Sequence, residues 1–354
     1  MQNANTKGLK YGEALRSFAL FGRLCSIFVR FHRGALMLTV VEMCAGAGGQ
    51  SLGLEQAGFE HLACIELDKH CCETLRLNRS WHVENTDLNT FSGAKYRGTV
   101  DLLAGGLPCP PFSMAGKQLG ERDERNLFPA ALRLVDEIQP RAVMIENVRG
   151  LYSGAFLNYR MWIEDQLRLL GYNPVWKVLN ASDFGVPQLR PRLICVALRT
   201  DVEAEFYWPL PSSSAPTVGA ALQDLMASNG WSAANWSVLA NTIAPTLVGG
   251  SKKHGGPDLG PTRARLAWAA LGVDGKGIAD EAPAANFEGM PRLTVRMAAR
   301  IQGFPDDWAF SGKKTASYRQ IGNAFPPPVA AAVGAQIALA LGVKAKLYAS
   351  KGGR

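Results

Sequence analysis

The apolar residues of the chain fall into short, nearly continuous runs at 38–43, 61–65, 100–104, 141–145, 174–179 and 193–198. Runs of this length, bounded by glycine, proline or polar turns, predict strands buried on both faces. Between them, helical spacing predicts helices over 51–57, 126–138 and 159–170, the first closed by Gly58 and the second stopped by Pro140. Strand and helix in alternation is the pattern of an α/β fold with a mostly parallel sheet. The alternation stops near residue 200. Proline, serine, glycine and tryptophan rise through 200–291, with Trp208, Trp231 and Trp236 among them. Helical periodicity resumes at 293–301 and ends in a proline-initiated helix over 328–341. The chain therefore reads as a main domain in two parts, 37–199 and 292–342, interrupted by a smaller, loop-rich domain at 200–291. Residues 1–36 read as a loosely attached extension, although 15–31 have the pattern of a basic amphipathic helix. Met37, directly before the first strand, is a candidate start, and 343–354 form a tail.

Length and charge set limits. A chain of 354 residues can bury a full core, and the absence of any run of about 18 apolar residues argues against a membrane helix. The net charge of +8 invites a nucleic-acid reading, yet residues 1–36 hold six Lys/Arg against Glu13 alone, which leaves +3 on the remainder. Nucleic-acid binding must then rest on local patches. The seven cysteines include no C-x-x-C pair, so neither a zinc site nor a disulfide framework is expected, and a reducing cytosol fits.

Candidate chemistry clusters where strands end. The first strand runs into Cys44-Ala45-Gly46-Ala47-Gly48-Gly49 and a helix, a turn that cradles a cofactor at a helix N-terminus. The second ends in Glu66-Leu67-Asp68, where a carboxylate suits a ribose diol; Asp87-Leu88 follows the third. The run at 100–104 breaks on Gly105 and Gly106 and then holds Cys109 between Pro108 and Pro110, a stiff bend presenting one thiol. A polar loop, 113–125, follows. Glu146 ends the next strand, and a buried carboxylate there is costly unless paired. Gln188-Leu189-Arg190-Pro191-Arg192 feeds the last run, and its two arginines need anionic or carbonyl partners. Within 200–291, Lys252, Lys253, His254, Arg263 and Arg265 crowd into one glycine-flanked segment.

In this order, these pieces resemble the DNA (cytosine-5)-methyltransferase family from about residue 39 to 341. Pro108-Cys109 matches its nucleophile motif, Glu146-Asn147-Val148 its E-N-V motif, and Gln188-x-Arg190-x-Arg192 its Q-x-R-x-R motif. The segment 296–305 and Gly322-Asn323 match the last two. The resemblance implies a Rossmann-like S-adenosylmethionine-dependent methyltransferase domain, with 200–291 as a target-recognition domain. It implies a cofactor site of Cys44, Ala45, Gly46, Gly48, Gly49, Glu66, Leu67, Asp87, Leu88, Gly106, Pro108, Leu127, Asn323 and Ala324. The catalytic set is Cys109 as nucleophile, Glu146 as proton donor, Arg192 on the base and on Glu146, and Arg190 beside it. DNA contacts would come from Ser113, Lys117 and Gln118 in the loop over the flipped base, from Lys252 and Lys253 on phosphate, and from Arg263 or Arg265 on a base edge. Two positions depart from the family: Cys44 stands where an adenine-stacking Phe is frequent, and Pro110 where Gln is frequent. Expected with this reading are the product S-adenosylhomocysteine, no metal, duplex DNA as partner, a restriction endonuclease of the same site as a candidate partner, no membrane, a monomer, and a place in the cytoplasm with the chromosome. Three alternatives remain at this point: a tRNA cytosine-5 methyltransferase, a silent DNA-binding relative, and a nicotinamide dehydrogenase, which explains only the first βαβ unit.

Overall fold

The computed structural model describes residues 37–108, 126–212, 214–250, 256 and 258–343. Its centre is a seven-stranded sheet of order β3-β2-β1-β4-β5-β7-β6. The strands are β1 (Leu38–Met43), β2 (Phe59–Glu66), β3 (Val83–Asn85), β4 (Leu102–Gly106), β5 (Ala142–Val148), β6 (Tyr172–Asn180) and β7 (Pro191–Arg199). The first five are parallel, and β7 runs antiparallel between β5 and β6. Helices α1 (Gly49–Gln56), α2 (Lys69–Asn78), α3 (Phe128–Ile138) and α4 (Leu157–Leu169) alternate with the strands.

Side-chain alternation sorts β1 between two cores. Val41 and Met43 join Leu134, Val135 and Ile163 of α3 and α4. Leu38 and Val40 join Leu54 of α1 and Val329 and Val333 of α10 (Pro327–Ala340) on the other face. Burial on both faces explains why these strands read as unbroken apolar runs. The end of the chain closes on its beginning: a Cβ on Gly53 of α1 would lie 2.4 Å from the Pro327 carbonyl oxygen. Because β1 neighbours both β2 and β4, the connections diverge on its two sides. The crevice beyond the carboxyl ends of β1 and β4 is thus the switch point where such sheets hold ligands.

Two expectations change. β4 does not break at its glycines: Gly105 pairs with Met43 and Ile145, and Gly106 pairs with Glu146. A Cβ on Gly105 would meet Met43 at 3.0 Å, so this glycine serves close strand approach. The region 200–291 is not only loops. It holds α5 (Val218–Ala227), α6 (Ala234–Leu239) and α7 (Thr262–Ala269), and no named strand among the described residues. Its buried Val218, Leu222, Trp236 and Trp268 form one cluster with Met297 of α8 (Val295–Ile301) and Tyr318 of α9 (Lys314–Asn323). Among the described residues, no helix is long and apolar enough to cross a membrane.

Candidate active site

The turn after β1 is built on left-handed backbone at Cys44 (φ 51°), Gly46 (φ 56°) and Gly48 (φ 84°). These glycines do different things. A Cβ on Gly46 would find its nearest neighbour, the Cys44 carbonyl oxygen, 4.0 Å away, so this side is open to a ligand. Gly48 and Gly49 instead make room for protein. A Cβ on Gly48 would lie 2.8 Å from Trp308, and one on Gly49 would lie 2.3 Å from the Phe325 carbonyl oxygen and 3.3 Å from Ala324. The Gly46 amide donates to Glu66 Oε2 (2.8 Å) and the Asp68 amide to Oε1 (2.7 Å). Burial pushes the Glu66 carboxyl above its ordinary range, against the pull of these amides. Each oxygen keeps a lone pair for a further donor.

Leu67, 64% exposed, offers apolar surface beside this carboxylate. Asp87 lies at the end of β3 and accepts from the Asn89 amide (2.9 Å). Leu88 is buried in the core, and Leu127 packs partly against it, just before α3. Burial first, and then Glu66, drive the Cys44 thiol far up, so it stays neutral. A largely buried carboxylate beside the exposed Leu67 and an open glycine turn leaves hydrogen-bond acceptors and apolar surface together for a ligand. Trp308, which sequence reasoning passed over, holds this turn: its buried indole donates to the Ala47 carbonyl (3.1 Å). The available signal was its place just beyond the Gly303-Phe304-Pro305 motif.

At the neighbouring edge, Glu146 of β5 stands next to Gly106 of β4. A Cβ on Gly106 would sit 3.3 Å from Glu146 Oε2, so the glycine keeps space for the carboxyl. Arg192, at the start of antiparallel β7, places Nε 2.8 Å from Glu146 Oε1, with side chains 13% and 11% exposed. Burial raises the Glu146 pKa, opposed by Arg192 and then by Arg190. A carboxyl that holds its proton more tightly, oriented by an arginine, can donate a hydrogen bond or a proton near neutral pH. Asn147, fully buried, donates from Nδ2 to the Leu107 carbonyl (3.4 Å), which ties the end of β5 to the chain leading to Pro108.

Arg190 does not join that pair. Its guanidinium donates to the main-chain carbonyls of Leu247 (2.8 Å), Gly322 (2.8 Å) and Ala324 (3.0 Å). Its placement is that of a brace, two residues from Arg192 but aimed elsewhere. Ala324 reaches the glycine turn, against Gly49, whereas the Asn323 side chain points to the insert and donates to the Gly250 carbonyl (3.2 Å). Arg263 and Arg265 lie on α7 rather than in a loop. Arg263 is exposed, whereas Arg265 is half-buried and donates to Thr262 Oγ1 (3.3 Å). Cys109, Ser113, Lys117, Gln118, Lys252 and Lys253 lie outside the described residues.

A second buried carboxylate, Glu42 of β1, accepts from His61 Nε2 at 3.1 Å, and Cys64 stands beside them. The ligand atoms of these three residues fall within 4.8 Å of one another. The direct Glu42–His61 bond accounts for the cluster as a buried hydrogen-bonded pair.

Comparison with known proteins agrees with this geometry. The family model for C-5 cytosine-specific DNA methylases matches residues 38–248 and 259–339. The type II methyltransferase M.NaeI of Lentzea aerocolonigenes is 55% identical over 315 residues, covering 87% of this chain and 76% of that protein. M.NgoMIV of Neisseria gonorrhoeae is 55% identical over 312 residues, covering 86% and 99%. Among solved structures, the S. pombe Dnmt2 methyltransferase shares the fold at a TM-score of 0.61 and 19% identity, over 86% of this chain and all of that one. The edge pair Glu146–Arg192, the open glycine turn and these matches converge, and the chain belongs to the C-5 cytosine-specific DNA methylase family and is a DNA (cytosine-5-)-methyltransferase.

Proposed function

We propose that the chain methylates carbon 5 of a flipped-out cytosine in a specific duplex sequence through a covalent adduct with Cys109. Carbon 5 is a poor nucleophile while the ring is aromatic. Addition of the Cys109 thiolate to carbon 6 forms an S–C bond and shifts the ring electrons onto carbon 5. Glu146 donates its proton at ring nitrogen 3 and so stabilises that addition, and Arg192 holds Glu146 and binds the ring carbonyl oxygen. Glu66, the Gly46 turn, Leu67 and Asp87 would hold S-adenosylmethionine, which would supply a sulfonium methyl for bonding to carbon 5, the broken S–C electron pair staying on sulfur as S-adenosylhomocysteine. Loss of the carbon 5 proton to a base, with water as the simplest candidate, then expels the Cys109 thiolate, returns the nitrogen 3 proton to Glu146 and restores the ring. A paired base cannot reach such an edge, so flipping costs a few kcal/mol.

The observation that carries this reading is the buried Glu146, oriented by Arg192 next to Gly106, three residues before Cys109. The segment 200–291 reads the DNA: Lys252 and Lys253 touch phosphate, and Arg263, the exposed arginine of α7, touches a base edge. The 55% identity to type II methyltransferases supports a role as the modification enzyme of a restriction–modification system. Duplex DNA carrying 5-fluorocytosine at the target should trap the protein covalently, since fluorine cannot leave as a proton. Cys109→Ser should form no adduct and turn over no substrate. An adduct on that variant would overturn the assignment. Bisulfite sequencing of DNA from expressing cells would give the target site.

A further inference from the structure

Arg190 is 1% exposed and permanently charged, yet each of its hydrogen-bond acceptors in the structure is neutral. A charge buried among carbonyls is costly, so its acceptors indicate what it holds together. Leu247 belongs to the insert at 200–291; Gly322 and Ala324 lie at the C-terminal end of α9, where Ala324 packs on Gly49. Gln188 repeats the arrangement from the same strand approach. Its Oε1 accepts from the Leu247 amide (2.8 Å), and its Nε2 donates to Gln302 Oε1 (2.7 Å) and to the Ile301 carbonyl (3.2 Å).

The two anchored segments also touch directly. Gly249 and Gly322 cross backbone on backbone: a Cβ on Gly322 would lie 2.4 Å from the Gly249 nitrogen. One on Gly249 would lie 2.5 Å from the Arg319 carbonyl oxygen and 2.6 Å from Asn323 Oδ1. No side chain fits at that crossing. Four consecutive residues, Leu247–Gly250, are thereby fixed just before the basic segment.

We propose that Arg190 is a positioning residue that sets the register between the 247–250 segment of the insert and the C-terminal end of α9, residues 322–324, where Ala324 packs on the glycine turn. Target reading and cofactor placement then share one brace. The inference rests on the reading of 200–291 as the DNA-contacting region and goes beyond it.

The test uses Arg190→Lys, which keeps charge but cannot span three carbonyls; Gly249→Ala, which forces the crossing apart; and Asn323→Ala, which removes the bond to Gly250 at an exposed position. Each is measured for kcat/KM on cognate and single-mismatch duplexes, for S-adenosylhomocysteine Kd and for Tm. A misplacement of about 1 Å remote from the chemistry can cost up to about a hundredfold. Discrimination should therefore fall about tenfold in Arg190→Lys and Gly249→Ala, with weaker S-adenosylhomocysteine binding in the same variants, and less in Asn323→Ala. Folded variants with wild-type discrimination would overturn the proposal, even if Tm fell. If Arg190→Lys fails to fold, the other two decide. Lys252→Ala and Arg263→Ala provide the control. Unchanged salt slope and site preference in both would refute DNA reading by this region, whereas changes there without changes in the brace variants would refute the brace alone.

Discussion

Glu42 and Glu146 are two buried carboxylates on one sheet, and the proposed mechanism uses only one of them. Both are nearly inaccessible, and each is bonded at about 3 Å to a basic side chain, His61 or Arg192. By alternation with Val40 and with Met144, both project from the same face. Glu42 lies level with Ala104 of β4, and Glu146 lies level with Gly106. They differ by two residues along the strand, roughly 7 Å. At Ala104 the face is covered, and His61 and Glu42 side chains are 0% and 1% exposed. At Gly106 the strand ends, the neighbour has no side chain, and the pair opens on the crevice. Burial and pairing are common to both, so what singles out Glu146 for the proposed proton transfer is its position at the strand end.

Replacing each acid by its amide is the strongest way to break this comparison. Glu146→Gln keeps a hydrogen-bond partner for Arg192 but has no proton to give, so the single-turnover rate should fall about 10²-fold or more. Glu42→Gln should lower stability by about 1–3 kcal/mol and leave the rate per folded molecule near wild type. Equal losses of rate in the two variants would end the distinction. A pH series sharpens it. The folded pKa of Glu146 is raised, so the donor is protonated below that pKa and lost as pH rises through it. The wild-type rate should fall on that alkaline side, and the Glu146→Gln rate should lack the fall.

A smaller effect is expected from Gly106→Ala. The new methyl would stand 3.3 Å from Glu146 Oε2 and push the carboxyl aside by a few tenths of an ångström. We expect about a tenfold slower chemical step with little change in Tm. An unchanged rate would mean that the bare strand end is not what frees Glu146. The smallest effect concerns whatever lies away from the edge. A chain starting at Met37 should fold and methylate, losing only non-specific DNA affinity at low salt with the +5 of residues 1–36. Loss of the chemical step in that chain would place part of the machinery there.

Much of this edge was legible from sequence. Glu146 could be found because a carboxylate ending an apolar run stands out. The β1 turn could be found because its glycines fall between a strand and a helix. The residues alone do not separate Arg190 from Arg192; the family resemblance gave Arg192 the contact with Glu146, and only the fold supplies the carbonyl partners of Arg190. The glycines were likewise indistinguishable. Gly46 faces open space, while Gly48 and Gly49 are reserved for Trp308 and Phe325 from the far end of the chain. Gly105 and Gly106 read as a break because strand propensity disfavours glycine, but close approach to Met43 and Glu146 required it. Contacts across hundreds of residues leave no local pattern.

The closure of α10 on α1 has a consequence for how the molecule comes into being. A ribosome releases β1 and the glycine turn hundreds of residues before Trp308, Ala324 and Phe325, which wall that turn, and before Pro327, which covers Gly53. Until then the nascent chain carries half a cofactor cradle with an unsupported floor, and Gly53 has nothing against it. Synthesis is vectorial, while this site is circular. A stop before Trp308 therefore removes all of these walls from the turn, whereas a stop just before α10 leaves only the face of Gly53 uncovered.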